Sequence, residues 1–129
     1  METLYSDRIL DLKYEPEKKC LVQVWKGFCT SEEFRASQQK SLDLFIEKRC
    51  TNFISDTTNA SLLKKEDTDW ASANIMPKLF KAGMKKLNMV LPSSMFTKLT
   101  ISNLEKAEET SGRDIFKKFG SLESALADL

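Results

Sequence analysis

Apolar and polar residues alternate along two short stretches near the start of the chain. Residues 9–14 (ILDLKY) and residues 20–25 (CLVQVW) show the period of two that is typical of a half-buried strand. The polar segment between them, EPEKK with Pro16, is short enough to form a turn. We therefore predict an antiparallel hairpin that ends at Gly27.

A helix is predicted after this hairpin. Thr30 followed by Glu33 three residues later is a capping-box pattern, in which the two residues satisfy each other's free backbone donors. The helix is expected to end near Arg49. Its buried face is expected to contain apolar residues and two serines small enough for close packing on a sheet: Phe34, Ser37, Ser41, Leu42 and Phe45.

The rest of the chain is predicted to alternate between strands and helices. Strands are predicted over residues 52–56, 86–92 and 114–119, with the strand at 86–92 in the centre of the sheet. Helices are predicted from about residues 66–68 to Gly83, from Ser93 or Ser94 to about residue 109, and over the last residues after Ser121.

The second of these helices carries a proline, Pro77, which predicts a kink or a break. Gly83 fits its C-terminus, and Asp67 or Thr68 is the expected N-cap. Its buried face is expected to consist of Trp70, Ala73, Pro77, Phe80 and Met84.

The predicted element order is β-β-α-β-α-β-α-β-α. Strands that alternate with helices pair in parallel through right-handed crossovers, and the first hairpin adds an antiparallel edge. We therefore predict a single α/β domain over residues 1–129, with a four- to five-stranded mixed sheet and about four helices.

Composition narrows the class of protein. The 129 residues are 41% hydrophobic and 30% charged with a net charge of +1, which fits a globular domain and argues against a broad electrostatic surface for nucleic acid or anionic membrane. A local basic patch remains one interpretation of four lysines that are close in sequence, although such lysines usually form the solvent-exposed face of a helix: Lys78, Lys81, Lys85 and Lys86.

No apolar run is long enough to span a membrane. The chain has three cysteines without CxxC spacing, which we interpret as reduced thiols. A cytoplasmic location is expected.

The chain contains no histidine. This removes histidine general bases, Ser–His and Cys–His catalysis and histidine metal ligands, and three scattered cysteines predict no metal site. Cys29, just before a helix N-terminus, is the one candidate nucleophile, and Asp56 is a candidate general base without an identifiable acid partner. We expect no cofactor and no enzymatic activity, with a cofactor-independent enzyme as the weakest alternative.

Four segments resemble the SpoIIAA-like family of STAS- and SEC14-related domains, and the resemblance covers nearly the whole chain. They are VQVWKGFCTSEEF, FISDT, DTDWASANIMPKLFKAGMKKLNMVLP and FGSLESALADL, of which the third is the most specific. The resemblance is to small stand-alone members of unassigned function. It implies a sheet with helices packed on it and no inherited catalytic machinery.

The family also includes anti-sigma-factor antagonists, which are switched by phosphorylation of a serine in an Asp-Ser-Ser-Gly-type motif. At the corresponding place this chain has EDTDW, where Asp67 and Thr68 align with the Asp-Ser pair and Asp69 and Trp70 replace the rest. Thr68 is thus the candidate phosphorylation site, although the neighbouring acids would repel a phosphate.

The stretch from Phe53 to Trp70 has two interpretations. In the structural one, Asp56 ends a strand, Trp70 anchors the core, and Thr57, Thr58 and Asn59 form a turn. In the functional one, a small apolar or acidic ligand binds beyond the carboxyl ends of the parallel strands. The residues of that predicted ligand site are Asp56, Thr58, Trp70, Ser93 and Phe96.

The preferred hypothesis is a non-enzymatic regulatory or protein-interaction module that binds no nucleic acid. Its partner is another protein or a second copy, because the terminal helix is amphipathic and its leucines could pack on their own sheet or on a copy: Leu122, Leu126 and Leu129. A carrier or sensor of a small ligand is the alternative.

Overall fold

The computed structural model describes residues 1–61, 64–91 and 116–129. The strands are β1 (Glu2–Ser6), β2 (Leu10–Glu15), β3 (Cys20–Gly27), β4 (Asn52–Ala60), β5 (Lys86–Val90) and β6 (Phe116–Phe119). The α-helices in these residues are α1 (Ser31–Glu47), α2 (Lys65–Asn74), α3 (Met76–Lys81) and α4 (Leu122–Ala127), and a 3-10 turn spans Pro16–Lys18. The helix predicted between Ser93 and about residue 109 lies outside the described residues.

The strands form one mixed sheet in the order β1-β2-β3-β4-β5-β6. The pairs β1/β2 and β2/β3 are antiparallel, and β3, β4, β5 and β6 pair in parallel. The predicted α/β class with an N-terminal antiparallel hairpin is confirmed. The described residues form six strands where four or five were predicted, because β1 adds an edge strand that the sequence did not indicate. The strand β5 is an interior strand, between β4 and β6, but the two middle strands are β3 and β4.

Helices cover both faces of the sheet. The larger core lies on the face covered by α1, α2 and α3, the α1 face, where Phe45 and Leu21 are fully buried. The smaller core lies under α4, on the α4 face, where Ala125 packs against Val22 and Ile54. The terminal-helix leucines are half-buried against this second core, so they pack on their own sheet: Leu122, Leu126 and Leu129.

The first helix forms as predicted. The Thr30 side chain accepts a hydrogen bond from the backbone N–H of Glu33, and the Glu33 carboxylate accepts one from the backbone of Thr30, which completes the capping box. Ser37 and Ser41 are buried against the sheet. α1 ends at Glu47, two residues before Arg49.

The second helical segment breaks at Ile75, where α2 ends and α3 begins, and Pro77 lies in the first turn of α3. The predicted break is confirmed, but of the predicted buried face only Met84 is fully buried. Ala73 and Pro77 are exposed, and Trp70 and Phe80 are half-buried. The buried positions are Ala71, Ile75, Met76, Leu79 and Met84, because a broken helix does not continue one helical face across the break.

Two local predictions in this region are also wrong. α2 begins at Lys65, one to three residues before the predicted start, and its N-cap is Lys64 without a side-chain cap, so Asp67 and Thr68 lie inside the first turn and not at the N-cap. The predicted turn at Thr57–Asn59 is a continuation of β4, in which Lys26 pairs with Asn59 after an irregularity of the β3/β4 register. β3 is long enough to offer this partner, and the β-branched threonines suit an extended backbone.

Candidate functional site

The N-termini of α1 and α2 meet at one corner of the α1 face. The Ser31 hydroxyl donates a 2.8 Å hydrogen bond to Oδ2 of Asp67, which is 4% exposed. Nε of Arg35 lies 3.6 Å from Oδ1 of the same carboxylate. The first turns of two helices and a guanidinium therefore lie next to the Asp67 carboxylate.

The guanidinium of Arg35 also stacks on an aromatic ring. Its central carbon lies 5.2 Å from the centroid of the Trp70 ring, within the range of a cation–π contact. Trp70 is half-buried against the core, so one part of its ring anchors α2 while another part contacts Arg35. Arg35 and Trp70 are thus in contact at the surface of this corner.

The loop between β3 and α1 adds an exposed aromatic residue. Phe28 is 63% exposed, although it is a large apolar side chain. Arg8 donates a hydrogen bond of 3.4 Å to the Phe28 carbonyl. It also forms an ion pair with Glu33 in the first turn of α1. We name this surface the α1–α2 corner; it consists of Arg8, Phe28, Ser31, Glu33, Arg35, Asp67 and Trp70.

Cys29, the candidate nucleophile, lies in the same loop and is half-buried. Burial raises the pKa of its thiol, and the negative charges of Glu33 and Asp67 raise it further. A nucleophilic cysteine needs a lowered pKa, so the local field works against thiolate chemistry at this position.

The predicted ligand residues do not all lie together. Asp56 pairs with Val24 and Val90, which belong to the core on the α4 face. Its carboxylate accepts hydrogen bonds from the backbone N–H and the hydroxyl of Thr58. Asp56 and Thr58 therefore contact each other, whereas Trp70 packs on the α1 face, on the other side of the sheet. Ser93 and Phe96 lie outside the described residues.

The candidate phosphorylation site, Thr68, is 4% exposed in the first turn of α2. Its hydroxyl donates a 2.9 Å hydrogen bond to the carbonyl of Lys65. A kinase would have to open this turn to reach the hydroxyl. Phosphorylation of Thr68 stays a prediction.

A groove of about 470 Å³ opens between the start of the chain and α1. The ammonium of Lys40 lies 4.9 Å from the centroid of the Tyr5 ring, and the Tyr5 hydroxyl donates a 2.6 Å hydrogen bond to Asp7. Arg8 and Glu33 also line it, so the groove borders the α1–α2 corner. The sequence did not indicate this groove, because β1 was not predicted.

Within residues 1–61, 64–91 and 116–129, no group of three or more Cys, Asp or Glu side chains is arranged to hold a metal ion. No helix in these ranges is long and apolar enough to cross a membrane.

Comparisons with protein-family models and with curated proteins find no match. Among solved structures, the chain is similar to part of a chain in "The overall structure of SLC26A9", with a TM-score of 0.61 at 15% identity. The match covers 85% of this chain and 19% of that chain, so this chain spans less than a fifth of its length. Identity of 15% shows a shared fold alone. The architecture is broadly consistent with a STAS-like fold.

Proposed function

We propose that this chain is a non-enzymatic, cytoplasmic STAS-like module that acts by binding another protein. The proposal is supported by the sequence resemblance to SpoIIAA-like domains and by the mixed-sheet fold with helices on both faces. The structural likeness to part of SLC26A9 supports the proposal, because a domain of similar fold occurs there within a larger protein.

The observation that carries the proposal is the exposure of Phe28, at 63%, on the α1–α2 corner. The corner is held in place by the Ser31–Asp67 hydrogen bond and the Arg8–Glu33 ion pair. Aromatic residues and arginine are enriched in protein interfaces, where an apolar anchor is surrounded by a polar rim. Phe28 would be the anchor.

Site-specific photocrosslinking tests this function. A photoreactive benzoylphenylalanine at position 28 is expected to crosslink one defined protein in cells, and the same probe at Ile46 is the control. Ile46 is 52% exposed but lies at the other end of α1. Equal crosslinking from both positions, or none from position 28, would argue against an interface at the corner.

Self-association is one form of this function, with a second copy as the partner. Light scattering over a range of concentrations measures it, and Phe28→Ser should then shift the protein to the monomer. A concentration-independent monomer together with a position-28 crosslink to a different protein would identify a hetero-partner instead.

A second candidate is the carriage of a small acidic ligand, supported by the groove beside the corner. Lys40 and Arg8 could bind its acidic group, and the Tyr5 ring supplies an apolar wall. Native mass spectrometry of gently purified protein is the test. A reproducible adduct that Lys40→Gln removes would support the groove, whereas an adduct lost on Asp56→Asn would support the predicted site at Asp56 and Thr58.

A further inference from the structure

The N-terminal ends of the parallel strands carry exposed basic residues from separate parts of the chain. Lys19 precedes β3, Arg49 comes shortly before β4, and Lys85 precedes β5. Two more lysines lie in the adjoining helix α3. We name this surface the basic edge; it consists of Lys19, Arg49, Lys78, Lys81 and Lys85, all of which are exposed.

Backbone hydrogen bonds hold these segments side by side. The carbonyl of Lys19 accepts a 2.9 Å hydrogen bond from the backbone N–H of Thr51, and the N–H of Lys85 donates a 2.7 Å hydrogen bond to the carbonyl of Thr51. Neighbouring strands lie about 4.8 Å apart, so the backbones of Lys19 and Lys85 are about 10 Å apart. Sequence positions that are 66 residues apart thus share one surface.

The charges of the basic edge are not neutralised by the described part of the chain. None of its five side chains forms an ion pair or a side-chain hydrogen bond there. The nearby carboxylate of Asp128 pairs with Lys86 and Lys117 instead. Glu17 and Glu47, which are each two residues before Lys19 and Arg49 in sequence, form no ion pair with these five residues. A surplus of positive charge therefore faces the solvent.

The backbone conformation supports a role for two of these side chains. Lys19 and Arg49 have φ angles of 48° and 53°, in the left-handed region that favours glycine. Arg49 follows the end of α1 in a hydrogen-bonding pattern that usually places glycine at that position. Both positions thus carry a charged side chain in a backbone conformation that glycine would adopt with less steric strain.

Helix dipoles account for only part of this cluster. Arg49 follows the end of α1, and Lys78 and Lys81 lie in the last turn of α3, where a positive charge is favourable. Lys19 and Lys85 precede strands and have no such explanation.

We propose that the basic edge binds the anionic headgroups of a lipid bilayer. The proposal is independent of the protein-binding function at the α1–α2 corner, which lies at the opposite end of the strands. Anionic headgroups attract clusters of lysine and arginine, and Ile46, which is 52% exposed in the last turn of α1, adds an exposed aliphatic side chain three residues before Arg49. Nucleic-acid binding is less well supported, because base stacking needs exposed aromatic rings, and the exposed aromatic residue of the described chain, Phe28, is at the other edge.

Vesicle flotation with the full chain tests this proposal. Vesicles of phosphatidylcholine and phosphatidylserine are compared with vesicles of phosphatidylcholine alone, at low and high salt. The wild type is expected to float with the anionic vesicles only, and high salt should weaken the binding. A single-stranded oligonucleotide is measured in parallel.

The variant is Lys81→Gln with Lys85→Gln, and the matched control is Lys64→Gln with Lys65→Gln, at the start of α2. Both variants change the net charge equally, and all four lysines are exposed. Each charge near an anionic bilayer contributes roughly fivefold to binding, so the edge variant should lose roughly 25-fold and the control less than about twofold. Thermal unfolding of both variants checks that the fold is intact.

Three outcomes would overturn the proposal. They are a wild type that does not bind anionic vesicles, an equal loss in the edge and control variants, and tighter edge-dependent binding to the oligonucleotide than to the vesicles. Ile46→Ser provides a separate measurement that leaves the charge unchanged. It should reduce the binding to anionic vesicles that remains at high salt, and no change would contradict the part of the proposal that assigns insertion to Ile46.

Discussion

The indole N–H of Trp25 donates a 2.9 Å hydrogen bond to the side-chain carbonyl of Gln23, two residues earlier on the same strand. The hydroxyl of Ser55 donates a second hydrogen bond of 2.9 Å to the same oxygen, and the Gln23 amide nitrogen donates to Ser41 and Gln38. Gln23 is 1% exposed. Its amide thus uses both donors and both acceptor positions to link β3, β4 and α1 inside the core.

Gln23→Leu should destabilise the protein by about 2–4 kcal/mol, because it leaves the buried donors of Trp25 and Ser55 without an acceptor. Chemical denaturation measures the free energy of unfolding. Gln38→Ala is the control, because Gln38 is half-buried and accepts one hydrogen bond of the same network. It should cost about 0.5–1 kcal/mol. Equal losses for the two variants would show that the Gln23 amide has no special role.

Arg49→Gly should stabilise the protein by about 0.5–1 kcal/mol, because glycine removes the steric strain of the left-handed conformation at the end of α1. The measurement is the shift of the denaturation midpoint. Arg49→Ala removes the same charge but keeps the Cβ atom, so it should give no such gain.

Gly83 at the end of α3 provides the converse test. The backbone N–H of Gly83 donates a hydrogen bond to the carbonyl of Phe80, and the N–H of Met84 donates one to the carbonyl of Leu79. The φ angle of Gly83 is 100°. Gly83→Ala should destabilise the protein by about 1–2 kcal/mol through strain alone, because no atom lies within 4 Å of the added Cβ. A neutral effect would contradict the assigned conformation.

The three thiols should differ in reactivity. Burial raises the pKa of Cys20 to about 12 and that of Cys50 to about 11, so neither should react with a thiol reagent at pH 8 in the folded protein. Cys29 is half-buried with a raised pKa, so it should react alone and more slowly than free cysteine. Mass spectrometry after timed labelling measures this.

Glu33→Gln should accelerate the labelling of Cys29 by about two- to threefold, because a nearby negative charge that raises the thiol pKa is removed. Glutamine can keep the capping interaction at the start of α1. Unchanged labelling would mean that the charge of Glu33 does not contribute to the raised pKa of Cys29.

The attachment of α4 should depend on pH through Asp128. Burial raises the pKa of this carboxyl, but the hydrogen bond from Asn88 and the ion pair with Lys117 outweigh it, so the pKa lies below its ordinary value of 3.8. A lowered pKa in the folded state means that the stabilisation is present above that ordinary value and is lost as the pH falls through the folded pKa.

Amide hydrogen exchange in Leu122–Ala127 should therefore be slow at neutral pH and become faster relative to the rest of the sheet in acid. Asp128→Asn should remove most of this difference and weaken α4 at neutral pH. If the variant keeps the wild-type pH dependence, another group controls the attachment of the helix.

Several elements could be predicted from local sequence because their signals act over a few residues. The Thr30–Glu33 capping box, the break near Pro77 and the helix end at Gly83 each depend on side-chain or backbone chemistry within one or two turns. The end of α1 near Arg49 was also predicted, but the left-handed conformation of Arg49 was not, because no glycine marks that position.

The strand β1 and the extension of β4 to Ala60 could not be predicted in the same way. β1 has two half-buried apolar residues, Leu4 and Tyr5, and forms because β2 offers a free edge. β4 continues through polar residues because β3 extends alongside it. Pairing with a distant strand overrides weak local preference in both places.

The sequence by itself determined the α/β class, the order of most elements and the absence of histidine chemistry, because periodicity and composition are local properties. Only the tertiary structure decided which side chains meet. It placed Asp56 and Trp70 on opposite faces of the sheet, joined Asp67 to Ser31, and brought Lys19 and Lys85 to the two sides of Thr51. These relationships depend on strand order and register, which are fixed by long-range pairing that no short stretch of sequence contains.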